Sequence, residues 1–99
     1  MFKEGFCDLE IMFNDRNFVA VRDMSFIYYF SYKMCIAVLS TRSSMLFVNP
    51  EAISYSRTTT KHLKSVLRIV VDSDSMFDDM KKGKTRFEYP TLEIVVTDN

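Results

Sequence analysis

The first part of the chain alternates apolar and polar residues with a period of two. In the segment 6–13, every second position is apolar: Cys7, Leu9, Ile11 and Phe13. A two-residue period is typical of a β-strand with one buried face. We therefore predict a strand here, followed by a turn at 14–17, where Asn and Asp residues tolerate left-handed backbone.

Further apolar segments bounded by turn residues predict the remaining strands. Before the helix these are 18–21, 24–32, 33–39, 45–48 and a short edge strand at 52–55, and after it 87–89 and 92–96. The sequence leaves open whether 24–39 is one long bent strand or two strands with a break near Ser31. Polar turns are predicted at 22–23, 40–44 and 49–50.

A helical period replaces the two-residue period between Ser54 and Val71. The apolar residues of this segment lie at i, i+3, i+4 and i+7, which is one face of an α-helix: Leu63, Val66, Leu67 and Val70. We expect the main helix at about 58–71, with the hydroxyl of Thr58 or Thr59 as its N-cap.

A short second helix is predicted at about 74–82, because Ser73 is a favourable N-cap and Gly83 suits the left-handed position after a helix. A succession of strands, then helix, then strand is typical of the α+β class. We predict a mainly antiparallel sheet of about five to seven strands, packed on one side by the main helix. A chain of 99 residues is expected to form a single domain, 1–99.

Composition narrows the class of protein without identifying its activity. Hydrophobic residues make up 47% of the chain and charged residues 26%, which favours a folded chain over a disordered one. Nine Phe, five Tyr and seven Met in so short a chain lead us to expect at least one exposed aromatic cluster. Thirteen basic and thirteen acidic residues cancel, so overall charge does not favour a nucleic-acid or membrane partner.

The cysteines and the N-terminal residues indicate a cytoplasmic protein. Cys7 and Cys35 are expected to be free, buried thiols, because two cysteines without a secretory signal do not form a secreted disulfide scaffold. The longest apolar segment, 24–39, is interrupted by polar residues and is too short to span a bilayer.

A basic stripe is the strongest candidate for a functional surface. Arg57, Lys61, Lys64 and Arg68 are spaced by four, three and four residues, which places them on one face of the predicted helix. With Tyr55 they form the predicted partner-binding set. The alternative is an ordinary solvated face, for which Lys and Arg are equally suitable.

The start of the same helix is a candidate anion site formed by Thr58, Thr59, Lys61 and His62, because helix N-termini attract anions. His62 is the sole histidine, and its spacing from the two cysteines matches no metal site, so we expect no metal and no cofactor. A catalytic role would require a Ser or Cys beside His62 and an orienting carboxylate.

Two segments resemble a group of small, uncharacterised bacteriophage proteins over roughly residues 28–64. These proteins have a Ser-Tyr-x-x-x-x-Ala strand and a Ser-x-Thr-Thr-x-Lys-His-Leu helix start. The residues that match this pattern are Ser31, Tyr32, Ala37, Ser56, Thr58, Thr59, Lys61, His62 and Leu63. Met34, Val38 and Tyr55 depart from it, at positions where the group has Thr, Phe and Trp. The resemblance implies phage origin but no activity.

A phage context favours a non-catalytic interaction protein that binds and modulates or inhibits a host or host-defence protein in the host cytoplasm. One alternative is a nucleic-acid-binding protein that uses the basic helix face, and a second is a binder of a phosphate-bearing ligand. We expect no membrane association and either a monomer or a homodimer. A dimer is favoured if the aromatic segment 24–32 lies at a sheet edge.

Overall fold

Seven β-strands form one sheet in the computed structural model, which describes residues 9–97. They are β1 (Glu10–Asp15), β2 (Phe18–Arg22), β3 (Phe26–Ser31), β4 (Met34–Ser40), β5 (Met45–Val48), β6 (Arg86–Glu88) and β7 (Glu93–Val96). Their order is β1-β2-β3-β4-β5-β7-β6, and every pair is antiparallel except the parallel pair β5–β7. The predicted α+β fold is confirmed, and residues 6–8 of the first predicted strand lie outside the described range.

The main helix, α1, spans Arg57–Val71, as predicted to within one residue. Its N-cap is Ser56 and not Thr58 or Thr59, since Ser56 Oγ accepts a hydrogen bond from the Thr59 amide at 3.1 Å. The helix ends where Asp72 adopts left-handed backbone with φ 63°.

Two further details were wrong, the strand at 52–55 and the Ser73 cap of the second helix, and both errors involve backbone capping by side chains. The segment 52–55 is not a strand, because Pro50–Ile53 is a 3₁₀-helix capped by Asn49, whose side chain accepts from the Glu51 amide. The predicted short second helix is confirmed as α2, which spans Phe77–Lys81 within the predicted 74–82. Ser73 does not cap it, because its hydroxyl accepts from the Ser75 amide and forms a separate turn.

The core lies between the sheet and the two helices. Leu63, Val66 and Leu67 of α1 are fully buried, and Phe77 and Met80 of α2 extend the same layer. Strands β2 to β7 supply buried residues to this layer, including Phe18, Ala20, Tyr29, Ile36, Ala37, Leu46, Val48, Phe87, Ile94 and Val96. Burial of each large apolar side chain contributes about 1.5–3 kcal/mol, so this layer fixes α1 on the sheet.

The structure decides whether the segment 24–39 is one bent strand or two strands. Residues 24–39 contain two strands, β3 and β4, joined by a turn at Tyr32 and Lys33. Because β3 pairs with β2 on one side and β4 on the other, it is an interior strand. The edge position that would have favoured a dimer through 24–32 is therefore not present.

Candidate functional site

Three segments meet at the end of the sheet where α1 begins. The β1–β2 turn contains Arg16, in left-handed backbone with φ 58°, and the β3–β4 turn contains Tyr32 with φ 57°. The Tyr32 amide donates a hydrogen bond to the Asn17 carbonyl at 2.7 Å, which joins the two turns directly. Residues with bulky side chains seldom adopt left-handed backbone. The hydrogen bond between Tyr32 and Asn17 holds both turns in one fixed arrangement.

The three segments form a continuous grooved surface. A groove of about 520 Å³ runs between the β1–β2 turn and α1, and its walls include Arg16, Tyr32 and Lys61. A neighbouring groove shares Arg16 and Tyr32 and extends to Lys33 and Tyr55. A third groove, whose walls include Arg57 and Lys64, meets the first at Lys61. We name this surface the basic patch and define it by six residues: Arg16, Tyr32, Lys33, Tyr55, Arg57 and Lys61.

Beneath the basic patch, a chain of hydrogen bonds fastens α1 to β3. Ser31 Oγ lies 3.1 Å from Thr59 Oγ1 and 2.7 Å from His62 Nδ1. Ser31 and Thr59 are each only 1% exposed. If Thr59 donates to Ser31, and Ser31 donates to a neutral His62, both hydroxyls are paired, as buried polar groups require.

The His62 ring lies near two aromatic rings. It stacks on Phe18, with ring centroids 4.9 Å apart and an interplanar angle of 8°, and Tyr32 lies 6.3 Å away. Burial lowers the pKa of His62 below its ordinary value, with Lys61 acting in the same direction and Asp15 opposing it. The site therefore favours the neutral imidazole.

Ser31, His62 and Asp15 resemble the components of a nucleophile and its base, but their geometry points to a structural role. A nucleophilic hydroxyl has to reach a substrate, and Ser31 is buried between β3 and α1. The contribution of the chain Thr59–Ser31–His62 is to hold the helix start rigid beneath the basic patch.

The predicted basic stripe of α1 is divided into two parts. Arg57 and Lys61 are exposed, and neither forms an ion pair within residues 9–97. Lys64 instead lies over the Phe77 ring, 5.1 Å from its centroid. Arg68 is bonded to Asp74 and to Ser65 Oγ. The C-terminal half of the stripe, Lys64 and Arg68, is therefore already in contact with residues of α2 or of the segment before it.

The four predicted anion-site residues are also separated by the fold. Thr58 and Lys61 face solvent, whereas Thr59 is buried and bonded to Ser31. His62 is half-buried, with Nδ1 directed at Ser31. The Thr59 amide at the helix start is already bonded to Ser56. An external anion at this position would therefore meet Thr58, Lys61 and one edge of His62.

Sequence reasoning did not identify Arg16 and Lys33 as members of a site. Each lies in a two-residue turn, and both are exposed and outside every ion pair formed within residues 9–97. A signal was present, because both turns interrupt alternating strands. Their proximity to α1 depends on the order of the strands, which alternation does not reveal.

Residues 9–97 contain neither a cluster of metal-binding side chains nor a helix that could span a membrane. Within residues 9–97, no three His, Cys, Asp or Glu side chains come together as a metal site would require. None of the helices in that range is long and apolar enough to cross a membrane. Cys35 is a free, half-buried thiol, and Cys7 lies outside the described residues.

Comparison with known proteins gives a family but no activity. No curated protein and no solved structure matches the chain. A family model described as a family of unknown function, DUF8033, matches residues 7–85. Since this match extends over most of the 99 residues, the chain belongs to the DUF8033 family.

Proposed function

We propose that the protein is a non-catalytic interaction protein that binds an acidic surface of a partner protein through the basic patch. The observation that supports this proposal is a cluster of four exposed cations around two exposed tyrosines. Arg16, Lys33, Arg57 and Lys61 are all outside the ion pairs formed within residues 9–97. Tyr32 is 52% exposed and Tyr55 66% exposed.

Tyr and Arg are the residue types that contribute most to binding energy at protein interfaces. A Tyr side chain supplies a large contact area at low entropic cost, and an Arg guanidinium bonds a carboxylate through two parallel donors. The four cations, partly offset by the exposed Asp15 carboxylate in the same groove, also accelerate association with an oppositely charged partner. The composition of the basic patch therefore suits a partner that presents Asp and Glu beside apolar surface.

The rigidity of the basic patch supports the same proposal. Its two turns are joined by the bond from the Tyr32 amide to the Asn17 carbonyl, and its helix is fastened by the bonds of Ser31. A surface that is already ordered loses less conformational entropy on binding than a flexible loop does. Both turns and the helix start are thus prepared for contact.

The resemblance to phage proteins extends the proposal to the kind of partner. Its two matching segments include Ser31 and Tyr32 on one side and Thr59 and His62 on the other, and these residues contact one another. We infer that the partner is a host or host-defence protein in the host cytoplasm, and that binding modulates or inhibits it.

Affinity capture from a bacterial host lysate tests this proposal. The double variant Arg57→Glu/Lys61→Glu is compared with the control Lys81→Glu/Lys82→Glu. The control changes the net charge by the same amount at two exposed residues, the last residue of α2 and the one that follows it. The proposal predicts a protein captured by the wild type and the control and lost with the first variant. Equal capture by both variants would refute it.

A nucleic-acid partner is a second candidate, because unpaired cations on one surface also suit a phosphate backbone. Four phosphate contacts to duplex DNA would give a log affinity that falls with log salt at a slope of about −3.6. The formal net charge of zero is unfavourable for this candidate. Fluorescence anisotropy with a labelled DNA duplex at about 50 and 200 mM salt tests nucleic-acid binding. Absence of binding at the lower salt would rule out a nucleic-acid partner.

A further inference from the structure

The face of the sheet opposite the helices carries a continuous apolar surface, which we name the outer face. Strand pairing places one apolar side chain from each of six strands in a single row across it. In order across the sheet, this row consists of Ile11, Val21, Tyr28, Val38, Phe47 and Val95. Adjacent residues in such a row are cross-strand neighbours whose side chains point to the same side.

Two further rows widen the outer face. Val19, Phe30 and Cys35 lie on one side of the first row, and Phe26, Ser40 and Met45 lie on the other. Charged strand residues appear only towards the β6 edge, where Arg86 pairs with Glu93 at 2.7 Å. In the strands of the described range, the middle of the outer face is uncharged.

Both helices within residues 9–97 pack on the other side of the sheet, so they leave this face open. The half-buried residues that pack against the core, such as Phe13, Ile27 and Leu39, belong to the inner face. The residues of the row are half-buried, except Ile11, which is 65% exposed. An antiparallel sheet with one wet face normally alternates apolar and polar residues, and this one has apolar residues on both faces.

We propose that the outer face is the contact surface of a homodimer, in which two sheets pack face to face. The twelve residues of the three rows, with strands about 4.8 Å apart and same-side residues about 6.8 Å apart along a strand, cover on the order of 400 Å². Two such faces in contact would bury roughly 800 Å², which is the size of a weak, reversible association. A contiguous apolar patch of this size is often functional.

The chemistry of the outer face favours a second copy as its occupant. The strands contribute no charge to its middle, and the Asp23 carboxylate of the β2–β3 turn is already paired there with Tyr28 Oη at 3.1 Å. The complement of this face is therefore another uncharged apolar sheet of similar curvature. A two-fold axis places the same surface on both sides of the interface, and sheets pack in this way at about −30° with an interior about 10 Å thick. The basic patch does not enter this argument, so failure of one proposal leaves the other intact.

Sedimentation velocity with the full chain tests the dimer. Val38 lies in the fourth position of the six-residue row, and Val38→Lys places a charge within the contact. Ile69→Lys is the matched control, because Ile69 is 54% exposed on α1. We expect a dimer for the wild type and the control, and a dissociation constant raised about 100-fold or more for Val38→Lys, since an unpaired buried charge is strongly unfavourable. A monomeric wild type, or a dimer that survives Val38→Lys, overturns the proposal.

If circular dichroism shows that Val38→Lys does not fold, a second measurement tests the dimer. Cys35 lies on the outer face beside Phe30, and in a Cys7→Ser background it is the only thiol. Its rate of reaction with Ellman's reagent should fall as the concentration of that variant rises, because the dimer covers it. A rate that is independent of protein concentration, whether fast or slow, overturns the proposal.

Discussion

The two halves of α1 carry the same charge pattern and meet different surroundings. In the N-terminal half, Arg57 and Lys61 face solvent, and Lys61 lines a groove beside two turns of the sheet. In the C-terminal half, Lys64 lies over Phe77, and Arg68 is bonded to Asp74. The spacing of basic residues therefore identifies the exposed face of the helix. The residues packed around that face determine which charges stay available to a partner.

The same contrast appears in how the two halves are held to the sheet. The C-terminal half is supported by apolar contacts, with Leu67 buried next to the layer that contains Phe77 and Met80. The N-terminal half is supported in addition by the hydrogen bonds of Ser31 to Thr59 and His62. Hydrogen bonds fix orientation as well as position, so the polar anchor suits the half that presents a binding surface.

The largest expected effect belongs to the apolar support. Leu67→Ala removes a fully buried side chain and leaves a cavity that neighbouring residues fill only in part. We expect the free energy of unfolding to fall by about 2–5 kcal/mol. Urea denaturation followed by circular dichroism measures it, with Ile69→Ala on the exposed side of α1 as the control. A loss below about 1 kcal/mol would show that α1 does not pack as described.

A smaller effect is expected from the polar anchor of the N-terminal half. Ser31→Ala leaves Thr59 Oγ1 and His62 Nδ1 without their shared partner in a buried site. We expect a loss of about 1–3 kcal/mol in the free energy of unfolding. Ser65→Ala is the control, because its hydroxyl bonds only exposed groups. Equal losses in the two variants would remove the special role of Ser31.

Acidic pH should weaken the same anchor. Because burial lowers the pKa of His62 below its ordinary value of 6.5, the unfolded chain takes up a proton there before the folded protein does. The stability that neutral His62 contributes is therefore present above pH 6.5 and lost as the pH falls toward the lower pKa of the folded state. His62→Gln should lose stability less steeply than the wild type between pH 7.5 and 5, as denaturation at each pH would show. Parallel curves would contradict this prediction.

The smallest effect on stability is expected at the engaged end of the stripe. Arg68→Ala removes an exposed ion pair with Asp74, and such pairs contribute about 0–1 kcal/mol. The loss of stability caused by Arg68→Ala should also disappear at high salt, because salt screens exposed ion pairs. Thermal unfolding at low and high salt, with Arg57→Ala as the unpaired control, measures the difference. A loss above about 2 kcal/mol would show that Arg68 supports the fold in another way.

Local periodicity was sufficient to predict most elements of this fold, with the exception of the 3₁₀-helix at Pro50–Ile53 and the division of 24–39 into two strands. The alternation around Phe13 and the helical spacing of Leu63, Val66 and Leu67 reflect which side of each element is buried, and that is a local property. Cap residues were less predictable, because Ser56, Thr58 and Thr59 all offer a hydroxyl. Only the path of the chain before the helix selects Ser56.

Properties that depend on distant pairing were not predictable. The insertion of β7 between β5 and β6 joins residues nearly fifty positions apart, such as Val48 and Val96. The same kind of pairing brings Arg16, Lys33 and Lys61 to one surface. The outer face left a trace in the sequence, because Phe26–Phe30 is apolar at every position, which is typical of a strand with apolar surroundings on both faces.

The central claim is that the N-terminal half of α1 binds the partner and the C-terminal half does not. It is tested most directly by two double variants of the same helix with the same change in charge, Arg57→Gln/Lys61→Gln and Lys64→Gln/Arg68→Gln. Quantitative mass spectrometry measures how much of each host protein they capture relative to the wild type. The account predicts that a specific partner is lost with the first variant and retained with the second. Equal retention, or loss with the second variant alone, would contradict it.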